Sequence, residues 1–276
     1  MRKIVITALL AICCTVPLAA VGSQEVRPLE QELKGKVNVF NPGVIKKAIE
    51  RIKKEPAFPA IELSSPRTPY PPSNKEISPI VTDAFGKLNF FLFKNSHELT
   101  LYASVDEQAT SYPQEKKIGI GIGYIDFLEK CDNGDLSVLE FTLAHEISHY
   151  LYENYISLIS EKKLSPSGQS SIYQIDLIGN RNELIETSIK NANEHAEVDA
   201  FAISVLKQMG WSKQKIEETL DKRFGCLRDA AKTANIILDS SIDLNSLPDG
   251  SINGVVDFVL REKSNKLFLD AVKGTP

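Results

Sequence analysis

Apolar residues recur along this chain at helical spacing in several blocks and at alternating spacing in one. Val44, Ile45, Ala48, Ile49 and Ile52 share one face of a helix that Asn41-Pro42 can start. A second helix is expected over residues 80–92, followed by strand-like stretches at 99–104 and 117–125. In the second stretch Ile118, Ile120 and Ile122 alternate with Gly119, Gly121 and Gly123, giving one bulky face and one bare face. After the turn Asp132-Asn133-Gly134, the run Ser137-Val138-Leu139-Glu140 reads as a capping box whose helix continues to about residue 160. A further helix covers about 192–209, with Gly210 as its C-terminal cap. Ser212 can cap the next helix, through Leu220, and helical periodicity returns at 227–238 and 255–270. The fold class predicted is α+β, mostly helical, with a small antiparallel edge sheet.

Composition narrows the class. The chain has 276 residues, 42% hydrophobic and 25% charged, which suits a globular protein of one large or two small domains. A formal net charge of -4 without any polybasic run argues against a nucleic-acid partner or a membrane surface. Prolines 56, 59, 66, 69, 71, 72 and 79 mark a segment that cannot be helical and is expected to run extended. Arg2 and Lys3 precede an apolar run over 4–18 and the small residues Ala19, Ala20, Gly22 and Ser23, the order of a secretory signal peptide. Cleavage after Gly22, or after Ala20, would leave an exported protein, periplasmic or extracellular. The bulky Ile12 argues against Cys13 as a lipoprotein anchor. No later segment reaches 18 uncharged apolar residues, so no transmembrane span is expected in the mature chain. The organisation expected is a signal segment over 1–22, an N-terminal arm with the Pro-rich stretch over 23–76, and the main domain over 77–276. Cys131 and Cys226 then remain, either paired or as two thiols.

The chemistry centres on His145-Glu146-Ile147-Ser148-His149, an H-E-x-x-H motif inside the helix expected from Ser137. Residues i and i+4 stand one turn apart on one face, so both imidazoles can bind one Zn²⁺. Glu146, one residue on, can reach a water on that metal and take its proton. A third ligand is needed, and Tyr150-Leu151-Tyr152-Glu153 does not supply the Gly and His of a metzincin. The next helix offers Glu194, His195 and Glu197. With Val198 set to zero, its apolar stripe centres near about 10°, His195 falls near about 60°, Asp199 near about 100°, Glu194 near about 320° and Glu197 near about 260°. His195 therefore ranks first, Glu194 second and Glu197 third, with Asp199 one turn beyond His195. His97 lies in a loop before a strand and reads as a surface residue.

From these residues a resemblance follows. Over roughly 77–211 the chain resembles the HtpX-type and CAAX-prenyl-endopeptidase-like zinc metallopeptidases, which include soluble periplasmic members of the BepA kind. It is carried by the His-Glu helix, by 124–128 as the end of an edge strand, and by Asp199-Ala200-Phe201-Ala202. The resemblance implies a zincin-like domain, one zinc per chain, a glutamate four residues before Asp199 as third ligand, and Asp199 bonded to a histidine behind the metal. His195 occupies that glutamate's position here. The function expected is a zinc-dependent metalloendopeptidase acting on a peptide or protein substrate, with Glu146 as general base. The strand bearing Gly119, Gly121 and Gly123 is the expected edge for holding substrate. A metal-binding envelope chaperone or assembly factor, with a structural or weakly catalytic zinc, is the alternative. Oxyanion stabilisation needs a further donor, and eight tyrosines are available.

Overall fold

The computed structural model describes residues 27–54, 69–95, 97–106, 108–160, 180–233 and 235–272, with 153–160 described by their helical path alone. The expected signal segment and the prolines at 56, 59 and 66 lie outside the described residues. The elements are α1 (Leu29–Glu32), α2 (Pro42–Lys54), α3 (Pro79–Phe93), β1 (Thr100–Ser104), β2 (Ala109–Tyr112), β3 (Lys117–Gly121), α4 (Ile122–Asp132), α5 (Ser137–Ser160), α6 (Arg181–Gln208), α7 (Lys213–Thr233) and α8 (Asp249–Val272). The chain is thus mostly helical with a small sheet, the coarse class the apolar pattern predicts.

The sheet departs from expectation. It is mixed, in the order β1-β3-β2, with β1 parallel and β2 antiparallel to β3. β2 escapes a reading by periodicity because Ala109-Thr110-Ser111-Tyr112 is short and carries no apolar alternation. β3 ends at Gly121, which is the extended N-cap of α4. Beyond it Ile125 and Leu128, three residues apart, are both buried, so the helical period takes over from the strand period. Residues 124–128 are therefore helix, not the end of an edge strand.

α5 and α6 cross the middle of the core. Leu143, Ile147 and Leu151 of α5 and Ala200, Phe201, Ala202 and Ile203 of α6 are fully buried. α2 buries Ile45, Ala48, Ile49 and Ile52 in that same core, so the stretch expected as an N-terminal arm is built into the domain. Backbone bonds from Leu29 and Glu30 to Ile242 and Ser240, and from Leu244 to Arg27, tie α1 to the approach to α8.

Helix ends show which local signals act. α5 begins at Ser137, but its first N–H groups are capped by the buried Asp132 carboxylate, which accepts from Val138 N at 2.7 Å, Leu139 N at 3.1 Å and Ser137 Oγ at 2.9 Å. The expected capping box is replaced by this cap from the preceding helix. α6 ends as expected: Gly210 has φ +95, its N–H reaches Lys207 O, and Trp211 N–H reaches Leu206 O at 3.0 Å, the paired bonds of a Schellman turn. Ser212 Oγ accepts from Lys215 N at 3.0 Å and opens α7. α6 starts well before the expected boundary, at Asn180, whose side chain accepts from Asn182 N. α7 runs unbroken through the gap expected after Leu220. Cys131 and Cys226 are paired, fastening the last turn of α4 to α7.

Candidate metal centre

α5 presents His145, Glu146 and His149, α6 presents His195 and Asp199, and α8 presents Asp257, Arg261 and Asn265 at four-residue spacing along one stripe. The three histidines converge. Ring centroids lie 4.8 Å apart for His145 and His149, 5.5 Å for His149 and His195, and 6.2 Å for His145 and His195, each pair nearly perpendicular. Among the described residues no group of three His, Cys, Asp or Glu side chains is placed to hold a metal ion as it stands. What the structure holds is three imidazoles facing one another, two of them fixed from behind.

That fixing decides their chemistry. His145 Nδ1 lies 2.7 Å from Asp199 Oδ1, and His195 Nδ1 lies 2.7 Å from Asp257 Oδ1. An ionised carboxylate only accepts, so each Nδ1 carries the proton and donates it, leaving the Nε2 lone pair on the far side of the ring. This is the arrangement metal-binding histidines use, with a carboxylate setting tautomer and orientation.

The carboxylates are themselves held ionised. Burial alone would raise the Asp199 carboxyl, but Arg261 and His145 hold it well below the usual range. Arg261 grips it with a side-on fork, Nε to Oδ2 at 2.8 Å and Nη2 to Oδ1 at 2.9 Å, and Asn265 Nδ2 adds a bond to Oδ2 at 3.0 Å. Against the same burial, Arg261 and His195 hold Asp257 at about 2, with Arg261 Nη1 at 3.1 Å from Oδ2. One guanidinium therefore supports both histidines. Burial pulls His145 down to about 4 despite Asp199, so its ring is neutral and available as a ligand near neutral pH.

The other sequence-selected residues are placed elsewhere. Burial raises Glu197, partly offset by a hydrogen bond from the Tyr152 hydroxyl, so its carboxylate is engaged. Burial pushes Glu194 up to about 7, against Lys190 and His195. Of the three candidates from α6, His195 is the one whose ring lies with those of His145 and His149. His97 lies beside α3 in a groove with Phe90 and Phe91, away from the centre.

The glycine strand is a correction. β3 is the central strand, bonded along one side to β1 and along the other to β2, so it has no free edge for a substrate. A Cβ on Gly119 would meet the Tyr102 ring and hydroxyl at 3.0 Å, so its bareness accommodates that tyrosine. Gly121 gives its N–H to Gln108 O at 2.9 Å, and Gly123 lies in the first turn of α4 with open space around it.

Periodicity missed the support from α8. Asp257-x-x-x-Arg261-x-x-x-Asn265 inside an apolar helix was the available signal, because buried charges at helical spacing require partners. Three comparisons bear on identity: no family model matches the chain, no characterised protein is significantly similar, and no solved structure matches its fold.

Proposed function

We propose that this chain is an exported zinc-dependent metalloendopeptidase, similar at the motif level to the HtpX-type enzymes, with His145, His149 and His195 as metal ligands. One observation carries the reading: three imidazoles from two helices face one another beside Glu146, two with Nδ1 tied to carboxylates. The donor set fits zinc, which takes neutral imidazoles in tetrahedral sites and leaves one position open in catalytic ones. Charge points the same way. With Glu146 ionised, Asp199, Asp257 and Glu146 outweigh Arg261 and Arg223, so the buried cluster carries one net negative charge that a cation would offset.

Zinc, when bound, acidifies water and polarises a carbonyl. Glu146, 7% exposed, takes a proton from the attacking water as its oxygen bonds to the peptide carbon. The same carboxyl gives that proton to the amine nitrogen as the C–N bond breaks. Asp199 and Asp257 keep two rings from rotating or changing tautomer during the cycle. Among the described residues no helix is long and apolar enough to cross a membrane.

The test is elemental analysis of the purified mature chain beside His195→Ala and Glu146→Gln. One zinc per chain, sharply reduced by His195→Ala, together with peptide cleavage abolished but zinc retained in Glu146→Gln, is the expected result. Zinc unaffected by His195→Ala moves the third ligand to Glu194 or Glu197. Bound zinc with no cleavage of any peptide in a library would favour a structural metal in an assembly factor.

A further inference from the structure

The sheet has two outer strands in different surroundings. β2 packs against α5, whereas β1 lies on the other side of β3. Thr100 N–H donates to Lys116 O at 2.8 Å, so residues 100, 102 and 104 turn their backbone groups to β3 and residues 101 and 103 turn theirs outward. Part of that outer edge is covered. Ser73 N–H bonds to Ala103 O at 2.8 Å and Val105 N–H to Pro71 O at 3.1 Å, so residues 71–73 lie antiparallel against the end of β1. They then leave it through a turn in which Ser73 Oγ accepts from Lys75 N at 3.2 Å. At the other end Nδ2 of the buried Asn89, on α3, donates to Leu99 O at 2.9 Å. Between these two covers Leu101 turns one N–H and one C=O outward, the pair that an added strand engages.

That pair borders a groove of about 910 Å³. Leu99, Thr100 and Leu101 all line it, and successive strand side chains alternate in direction, so the edge of β1 rather than one face forms this wall. The facing wall is α3, where Phe90 is 58% exposed and Phe91 half-buried, and the end of α6 closes the groove with Gln208 and Met209. Gln208 Nε2 is shut off from solvent yet makes no hydrogen bond, a donor kept for an acceptor that enters. Gln208 also lines a smaller cavity of about 270 Å³, so the two adjoin. Their charge is one-sided. Lys87 and Lys94 line the groove and Lys46 and Lys207 the cavity, against Asp83 as the acid among the lining residues. The ion pairs made by lysines among the described residues involve none of these four. Lys53 Nζ lies 3.7 Å from the centroid of Phe91, and Lys94 Nζ 6.0 Å from that of Phe90. On a chain of formal net charge -4 this is a local basic patch around an aromatic groove.

We propose that β1 and α3 dock an extended, acidic segment of a partner protein. The segment adds to β1 at Leu101, antiparallel as residues 71–73 are on the same edge. It sets an aromatic or branched apolar side chain against Phe90 and Phe91 and lays carboxylates along Lys87, Lys94 and Lys207. Other occupants match the surface less well. An anionic bilayer satisfies the lysines but leaves the Leu101 pair and Gln208 Nε2 without partners. A second copy of this chain docked by the same face would bring the same lysines against these. The surface is separate from the metal centre, since β2 and not β1 packs on α5, and its occupation needs neither zinc nor Glu146.

The test is selection on the immobilised mature chain from a library of short peptides varied over glutamate, lysine, valine and phenylalanine, then fluorescence anisotropy of the peptides retained. These should be rich in glutamate around a phenylalanine or valine, and should bind equally with zinc chelated or present. Phe90→Ala, at an exposed position, and Lys87→Glu combined with Lys94→Glu are each expected to weaken binding about tenfold with Tm unchanged. N-methylation of the central peptide bond of the probe should weaken it about five- to tenfold, because it removes the donor to Leu101 O. That modification changes the probe alone, so it reads strand pairing even if a variant does not fold. Retained peptides rich in lysine, no retained peptide, or acidic peptides whose affinity none of these changes moves would each overturn the proposal. Retention of anionic lipid vesicles in place of peptides would make the patch a bilayer contact and overturn it too. Binding lost on chelation would put the peptide at the metal centre, which overturns the docking surface and favours the peptidase reading. Absence of any cleavage, with binding as expected, overturns the peptidase reading and leaves the docking surface standing.

Discussion

Two buried polar arrays meet at His145, and they are built on opposite plans. On the α6–α8 side both oxygens of Asp199 accept two bonds each, and Arg261 bridges Asp199 to Asp257. On the α4–α7 side Arg223 sits between aromatic rings, with Nη1 3.8 Å from Asp199 Oδ1 and neither Nε nor Nη1 in a hydrogen bond. A satisfied array rigidifies what it touches, whereas an unsatisfied one keeps donors for something that arrives later. The first side holds its side chains in one geometry, whereas the second leaves guanidinium donors without hydrogen bonds. The large groove of about 910 Å³ between α3, β1 and the end of α6 has neither property, and size alone does not mark the chemistry.

The contrast breaks most visibly at the two arginines. Arg261→Met strands the buried Asp199 and the partly exposed Asp257 and is expected to cost about 3–5 kcal/mol of stability, while Arg223→Met should cost only about 1 kcal/mol. Denaturant titration of both variants measures this. Equal losses would mean that Arg223 is as much a structural ion as Arg261.

The disulfide sharpens the comparison next. It closes a sequence separation of 95, so replacing both cysteines by serine should cost about 2–4 kcal/mol. Because it bridges α4 to α7 rather than α6 or α8, the cysteine-free chain should lose stability while binding zinc as wild type does. Loss of zinc as well would show that the two arrays are one mechanical unit.

A third effect is pH-dependent, in the metal-free protein. His145 sits at about 4 in the fold against an ordinary 6.5, chiefly through burial, with Arg261 and Arg223 adding and Asp199 opposing. His149 and His195 face the same ring. The unfolded chain therefore takes up a proton that the folded one refuses as pH falls from about 6.5 to about 4. Stability should fall by about 3 kcal/mol across that window and level off for this group below it. Thermal melts of the metal-free chain at pH 7, 5.5 and 4.5 check it. A flat profile would mean that His145 is charged and solvated in the fold.

How much of this was legible in sequence follows from where the constraints lie. α2, α3, α5 and the end of α6 were readable because their apolar stripes and end caps, Gly210 and Ser212, are local signals. The stacking of His145 with His149 and of His195 with Asp199 was readable for the same reason, since helical geometry alone puts 145 beside 149 and 195 beside 199. β2 was hidden because four mixed residues carry no period, and its loss made β3 look like an edge. The Asp132 cap, the Asp257–His195 bond and the Asp199–Arg261 fork join residues from different elements, and no local pattern announces such pairs.

The finest test concerns Asp257 against Asp199. Both hold a histidine Nδ1 at 2.7 Å, but Asp199 is wholly buried and also supports Arg261 and Asn265, whereas Asp257 is partly exposed. Substituting Asp199 would therefore mix stability with metal binding. Asp257→Asn keeps the shape, removes the charge, and leaves Arg261 its fork to Asp199. An amide can offer its oxygen or its nitrogen to Nδ1, so the His195 tautomer is no longer fixed. Zinc affinity by chelator competition should fall about 10- to 100-fold with only a small change in Tm. The acid-side stability loss attributed to His145 should persist, because that ring's partner is untouched. Wild-type zinc affinity in Asp257→Asn would mean that the Asp257 bond does not prepare His195 for a metal. The α8 lattice would then support His145 through Asp199 alone.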